Sequence, residues 1–173
     1  MNGRREFPYC PSCGSKTLTF DGIKRFSCDS CGLVWYQNTA AACGAILLVG
    51  EKVLLLERAV EPAKGMLDFP GGFIEPGESL ETGLAREIEE EIGLLPLELS
   101  YLTSAPNVYL YKGVAYNTCD VVFTGTLSRA PTEMEEGEVA GILLLRREEI
   151  DLERIAFPSL RSAMALFIQK TRR

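Results

Sequence analysis

Glu87, Glu90 and Glu91 are the residues of this chain whose type and spacing point most directly to chemistry. Offsets of three and four residues bring their carboxylates to one face of a helix. Like charges so placed repel, and carboxylates at the edge of an apolar stripe repel more. A divalent cation removes that conflict, and clustered hard oxygen ligands suit Mg²⁺ or Mn²⁺. A second set of ligand-type residues stands near the N-terminus. Cys10-Pro-Ser-Cys13-Gly14 and Cys28-Asp-Ser-Cys31-Gly32 repeat one C-x2-C-G knuckle, with fourteen residues between the pairs. Four thiolates at such spacing suit Zn²⁺ in a closed tetrahedron, which is a structural site. Two disulfides, which belong to oxidising compartments, or inert thiols are the alternatives.

Composition removes other chemistries. The chain has no histidine. Ser-His-Asp and Cys-His catalysis are therefore excluded, and a general base must be a carboxylate, Lys, Tyr or metal-bound hydroxide. The net charge of −6 is unevenly spread. Residues 1–36 carry five Lys/Arg against three Asp/Glu, whereas residues 37–173 carry thirteen against twenty-one. An acidic body argues against polymeric nucleic acid as a partner, but not against a small phosphorylated substrate bound through metal. No apolar run is long enough to span a bilayer and the N-terminus lacks the apolar core of a signal peptide, so the expected setting is cytoplasmic, without membrane. Cys43 and Cys119 fit no motif and are expected to be small buried hydrophobes.

The elements that must position the glutamates are legible around them. Pro70-Gly71-Gly72 and Pro76-Gly77 form a loop whose glycines let backbone approach a ligand closely. A helix should follow, with Ser79 as N-cap, Glu81 in the first turn and Gly93 just past the end. Leu80, Leu84, Ile88 and Ile92 give it one apolar stripe, with Glu87 and Glu91 at its edge. Upstream, Ala40–Val49 and Lys52–Arg58 read as strands around a Gly50-Glu51 turn, the first apolar on both faces as a central strand is. Residues 61–69 are expected as a loop near the active site. Lys64 in it is a candidate phosphate contact or a solvated surface lysine. Downstream, the pattern predicts strands over 98–104, 108–111, 114–127 and 139–145, a turn at 104–107, a Lys112-Gly113 turn and an acidic loop over 131–138. A last helix over 159–170, with Pro158 in its first turn, has Leu160, Ala163, Met164 and Phe167 on its inner face. Within residues 1–36, two short strands over 17–20 and 23–26 are expected around an Asp21-Gly22 hairpin turn.

Gly72, Glu78, Arg86-Glu87, Ile88, Glu90-Glu91, Gly93 and Leu94 resemble the Nudix box, G-x5-E-x7-R-E-U-x-E-E-x-G-U, at every specified position. The resemblance implies an α/β/α sandwich with a mixed sheet, here residues 37–173, preceded by a small zinc ribbon, residues 1–36. It also implies hydrolysis, within the pyrophosphate, of a nucleoside diphosphate linked to another group. Glu87, Glu90 and Glu91 would then hold the metal, Arg86 would pair with Glu78 to fix the loop, and Gly71 and Gly72 would lie beside the metal. The base would be a box glutamate, Glu90 or Glu91, or a residue of the later acidic loop. Glu136 and Glu138 stand there, unless that loop is a solvated tip.

A zinc ribbon ahead of such a domain resembles the NADH pyrophosphatases, which also remove NAD-type caps from RNA. Those enzymes carry S-Q-P-W-P-F-P-x-S after the box. Ser104-Ala105-Pro106-Asn107-Val108-Tyr109 keeps only the serine and the first proline. The resemblance therefore stops short of the segment that marks NADH enzymes. Tyr109, Tyr111 and Tyr116 are open to two readings, stacking on a base or ribose, or packing the core. Trp35 is expected to pack the ribbon on the body or to stack on a base. The expected partner is a small nucleotide-diphosphate substrate, and a homodimer is left open. The alternative function is a catalytically weak Nudix-like regulator that binds nucleotide, RNA or protein through the ribbon.

Overall fold

The computed structural model describes residues 7–170. Two sheets organise it. The first is a three-stranded antiparallel sheet of β1 (Leu18–Phe20), β2 (Arg25–Cys28) and β3 (Val34–Tyr36), in that order. The Cys10 and Cys31 Sγ atoms lie 3.7 Å apart, as do those of Cys13 and Cys28. All four sulfurs fall within 4.8 Å of one another. Sulfurs about 2.3 Å from a tetrahedral Zn²⁺ stand about 3.8 Å apart, so the spacing fits that ion. The Thr17 hydroxyl, 3.6 Å from the Cys28 sulfur, leads in lowering that thiol's pKa.

This small sheet differs from expectation in two places. The β1–β2 connection is wider than a two-residue turn, because Phe20 pairs with Phe26. Asp21 closes it instead, its Oδ1 accepting from the N–H groups of Ile23, Lys24 and Arg25. Trp35 packs on the ribbon's own aromatic rings, 5.1 Å from the Phe26 ring and 5.7 Å from the Phe7 ring, and stays exposed. The link to the body includes Gln37, whose Nε2 donates to the Ala115 carbonyl at 3.4 Å.

The second sheet is mixed. Its strands are β4 (Ala40–Val49), β5 (Lys52–Arg58), β6 (Leu67–Asp68), β7 (Gly71–Phe73), β8 (Leu99–Tyr111), β9 (Val114–Thr126) and β10 (Val139–Leu145). The main order is β10-β5-β4-β9-β8, with β6 on β5 and β7 on β4. Only β4 and β9 run parallel; the other named pairs are antiparallel. Two helices cover its faces, α1 (Leu80–Ile92) and α2 (Pro158–Lys170). Alternation along β4 serves both. Leu47 packs with Leu84, Ile88 and Ile92 of α1, and Ile46 with Leu160, Met164 and Phe167 of α2.

The structure corrects the expected turn at 104–107. The chain runs extended through it, with Ala105 opposite Asp120 and Pro106 opposite Cys119. A proline is tolerated because β8 is an edge strand. Residues 61–69 are not all loop, since β6 pairs with Leu56 and Glu57 of β5. Cys119 is exposed rather than buried, because alternation on β9 turns Thr118 and Asp120 inward instead. No helix among the described residues is long and apolar enough to cross a membrane.

Candidate active site

Hydrogen bonds cap both ends of α1 and tie it to the segment before it. Ser79 accepts from the Thr82 N–H, and the Thr82 hydroxyl accepts from the Ser79 N–H, a reciprocal cap. At the other end Gly93, at φ 65°, closes the helix on the Glu89 carbonyl. Arg86 then ties helix to loop. Its Nε and Nη2 donate to the two Glu78 oxygens at 2.8 and 3.1 Å, and Nη2 also reaches the Phe73 carbonyl at 3.3 Å. The fork holds the Glu78 carboxyl down at about 2.

The same guanidinium orders two of the acidic residues on the helix. Arg86 Nη1 donates to Glu87 at 2.9 Å and to Glu90 at 3.1 Å. The Glu90 side chain stays 54% exposed, so of the pair only Glu87 is directed inward. Glu91 turns into the cleft, and its Oε2 accepts from the Gly71 N–H at 2.8 Å. Burial pushes the Glu91 carboxyl up to about 9, with the charges of Asp68, Glu87 and Glu135 adding to the rise and the Gly71 bond opposing it. Burial raises Glu87 as well, against Arg86.

The glycines are required by contact. A Cβ on Gly72 would sit 2.6 Å from the Glu87 carboxyl carbon. One on Gly71, at φ 142°, would run into the Cys43 carbonyl. The two glycines, expected in a loop, thus lie in β7, which pairs with β4 and is pressed against α1 with the acidic groups on it. Cys43 shares this wall. Burial pushes its thiol up to about 12, which leaves it an inert packing group.

A cleft of about 590 Å³ opens over this wall. Glu87, Glu91, Gly71 and Gly72 line it, and so does Glu138 from the loop before β10. Glu136 is exposed and outside the lining, its backbone bridging to Val139; Glu138 is exposed as well, but it lines the cleft. Lys64 is also exposed and outside the lining. The Gly65 N–H bonds back to the Arg58 carbonyl, and that tight turn leaves the lysine facing solvent. Tyr109 lines the cleft, its ring edge-on to Phe73 at 5.5 Å and 5.7 Å from the Phe157 ring.

Several lining residues escaped the sequence reading. Arg58 donates to Asp68 at 2.6 Å and to the Pro62 carbonyl at 2.8 Å, and lies over the Phe157 ring. Asp120 is held between the hydroxyls of Thr118 and Ser159, each at 2.6 Å. One signal was available for Asp120: a lone charge inside the apolar run Cys119–Phe123 must have a built partner. Nothing local marks Arg58 or Phe157, which reach the cleft through pairing and packing.

The donor set fits a hard divalent cation. Glu87 and Glu91 are partly buried, carry raised carboxyls and both lie against the Gly71–Gly72 backbone. Their spacing is looser than that of the thiols, for among the described residues only the four cysteines bring three or more donors within 4.8 Å of one another.

The chain resembles known proteins in sequence and in fold. The NUDIX domain model matches residues 38–167. The NAD-capped RNA hydrolase NudC of Deinococcus radiodurans is 28% identical over 138 residues, a match covering 78% of this chain and 49% of that protein. The ADP-ribose pyrophosphatase of Methanocaldococcus jannaschii is 43% identical over 67 residues, covering 39% of this chain and 40% of that one. The crystal structure of a NUDIX hydrolase from Nitrosomonas europaea superposes with a TM-score of 0.73 at 26% identity, over 95% of this chain and 92% of that one. The chain spans about half the length, or less, of these two curated relatives.

Proposed function

The chain belongs to the NUDIX family, and from that premise we propose that it is a divalent-metal-dependent hydrolase of a nucleoside diphosphate linked to another group, cleaved within the pyrophosphate. The observation that carries the reading is the cleft wall: Glu87 and Glu91 pressed against Gly71–Gly72, with Glu138 on the opposite loop. Glu87 and Glu91, with Glu90 behind them, hold Mg²⁺ or Mn²⁺. The bound ion supplies charge neutralisation at the phosphates and a more acidic water. Arg86 keeps Glu87 and the loop in register. The Gly71–Gly72 backbone leaves room for the phosphates where a side chain would intrude. Glu138 is the better placed of the two loop glutamates to take the water's proton, because it alone lines the cleft. The four-cysteine module holds Zn²⁺ as a structural ion.

The substrate class follows from relatives and from the cleft together. The relatives are named for NAD-capped RNA and for ADP-ribose, both built on an adenosine diphosphate linked to another group. The first name bears against the expectation that polymeric nucleic acid is excluded as a partner. A capped RNA end is compatible with this cleft, because the dinucleotide cap, not the polymer, meets the metal. NADH itself gains no clear advantage, since the segment after the box lacks the residues that mark NADH enzymes. Steady-state comparison of NADH, ADP-ribose, a dinucleoside polyphosphate, NAD-capped RNA and nucleoside triphosphates tests this. Cleavage of the dinucleotide-type compounds over triphosphates is expected. A preference for NADH of about a hundredfold, roughly 2.7 kcal/mol in the transition state, would overturn the specificity reading.

A further inference from the structure

We propose that Asp120 reads the ribose of the bound nucleoside, accepting from its hydroxyls, and so selects nucleosides without a 2′-phosphate. The inference rests on the pyrophosphohydrolase reading above. Asp120 is 8% exposed, and it lines the cleft together with Thr118. Thr118 Oγ1 donates to Oδ1 and Ser159 Oγ to Oδ2, each at 2.6 Å. Both partners are neutral, and no ion pair among the described residues reaches this carboxylate. A carboxylate oxygen accepts two hydrogen bonds, so one position remains on each. Two adjacent donors complete the set, and a vicinal diol supplies them at that spacing.

Two further features favour a nucleoside at this end. The rings of Phe73, Tyr109 and Phe157 line the same cleft and give a base an aromatic surface. The charge inventory is lopsided. Arg58 is the only cation among the lining residues, and it is committed to Asp68 and to the Pro62 carbonyl. Sites that accept a 2′-phosphate place an arginine beside it, whereas an acidic residue accepts from the free 2′-hydroxyl. Here a phosphate would meet a buried carboxylate with no cation to spare.

NADH and NADPH differ only in that phosphate, and kcat/KM for both is measured with Mg²⁺ or Mn²⁺ on the wild type and on Asp120→Asn. The wild type is expected to favour NADH by about a hundredfold or more, because the 2′-phosphate would meet a like charge. Asparagine keeps an acceptor for one hydroxyl and removes the charge. The ratio should then shrink by about tenfold or more, with KM for NADH rising. A wild-type preference under about threefold overturns the inference. So does an unchanged ratio in a folded Asp120→Asn variant, which would leave Asp120 as only a tie between β9 and α2. Should that variant fail to fold, 2′-deoxy-NADH on the wild type decides, and undiminished kcat/KM overturns the proposal. If the wild type cleaves no nucleoside diphosphate derivative at all, the hydrolase reading itself falls; cleavage without discrimination sinks the ribose assignment alone.

Discussion

Glu91 concentrates the tension of the site in one side chain. It is held by the Gly71 N–H on one side and by a wall of like charge and apolar packing on the other. Its ordinary value is 4.5, and burial pushes it up to about 9. The folded protein therefore keeps a proton there that the unfolded chain gives up, and stability falls as pH rises from about 4.5 to about 9. In buffer without Mg²⁺ or Mn²⁺, melting temperatures over that range should decline with pH. Glu91→Gln should flatten the decline and raise the melting temperature at pH 8. Parallel declines in both proteins would show that Glu91 is not the strained group. Arg86 is the counterweight, since one guanidinium serves Glu78, Glu87 and Glu90. Its fork geometry explains why a lysine at this position would not be equivalent.

At the scale of elements, α1 depends on its cap as much as on its stripe. Ser79→Ala removes the bond from the Thr82 N–H and should cost about 1 kcal/mol in denaturant unfolding. A loss near zero would mean that packing of Leu84, Ile88 and Ile92 alone sets the helix. This helix was fully legible in the sequence, because Ser79, Gly93 and a four-residue apolar repeat all act locally. So were β4, β5, β9 and β10, whose apolar runs are bounded by turns. The extended path through Ser104–Asn107 was not. Pro106 looks like a turn residue until its neighbour is known, and only the position of β8 at the sheet edge makes it a strand residue. The Asp21 turn failed for a similar reason. Asp-Gly suggested a two-residue connection, but a side chain that accepts from three N–H groups stabilises a wider one. In the cleft, the box residues were legible as a spacing, whereas Arg58, Asp120 and Phe157 come from strands and a loop far apart in the chain.

At the scale of the whole molecule, the four cysteines and the cleft carboxylates are separate donor sets. The four sulfurs form a compact set, none of them lines the cleft, and so small a module has too little core to fold by packing alone. Elemental analysis of purified protein should give one zinc per chain, and Cys10→Ser should lose it. Full zinc in that variant would count against a four-thiolate site. The cleft, by contrast, offers carboxylates, which under the proposed function would take a hard divalent ion and a substrate that brings its own phosphates.

Product analysis with ADP-ribose is the most direct test of the central assignment. The wild type and Glu91→Gln are incubated with ADP-ribose, with and without Mg²⁺ or Mn²⁺, and the phosphorus products are followed by NMR. AMP and ribose 5-phosphate are expected from the wild type with metal, none without it, and little from a folded Glu91→Gln variant. No cleavage by the wild type of ADP-ribose or its dinucleotide relatives with either metal, or undiminished turnover by Glu91→Gln, would contradict the assignment.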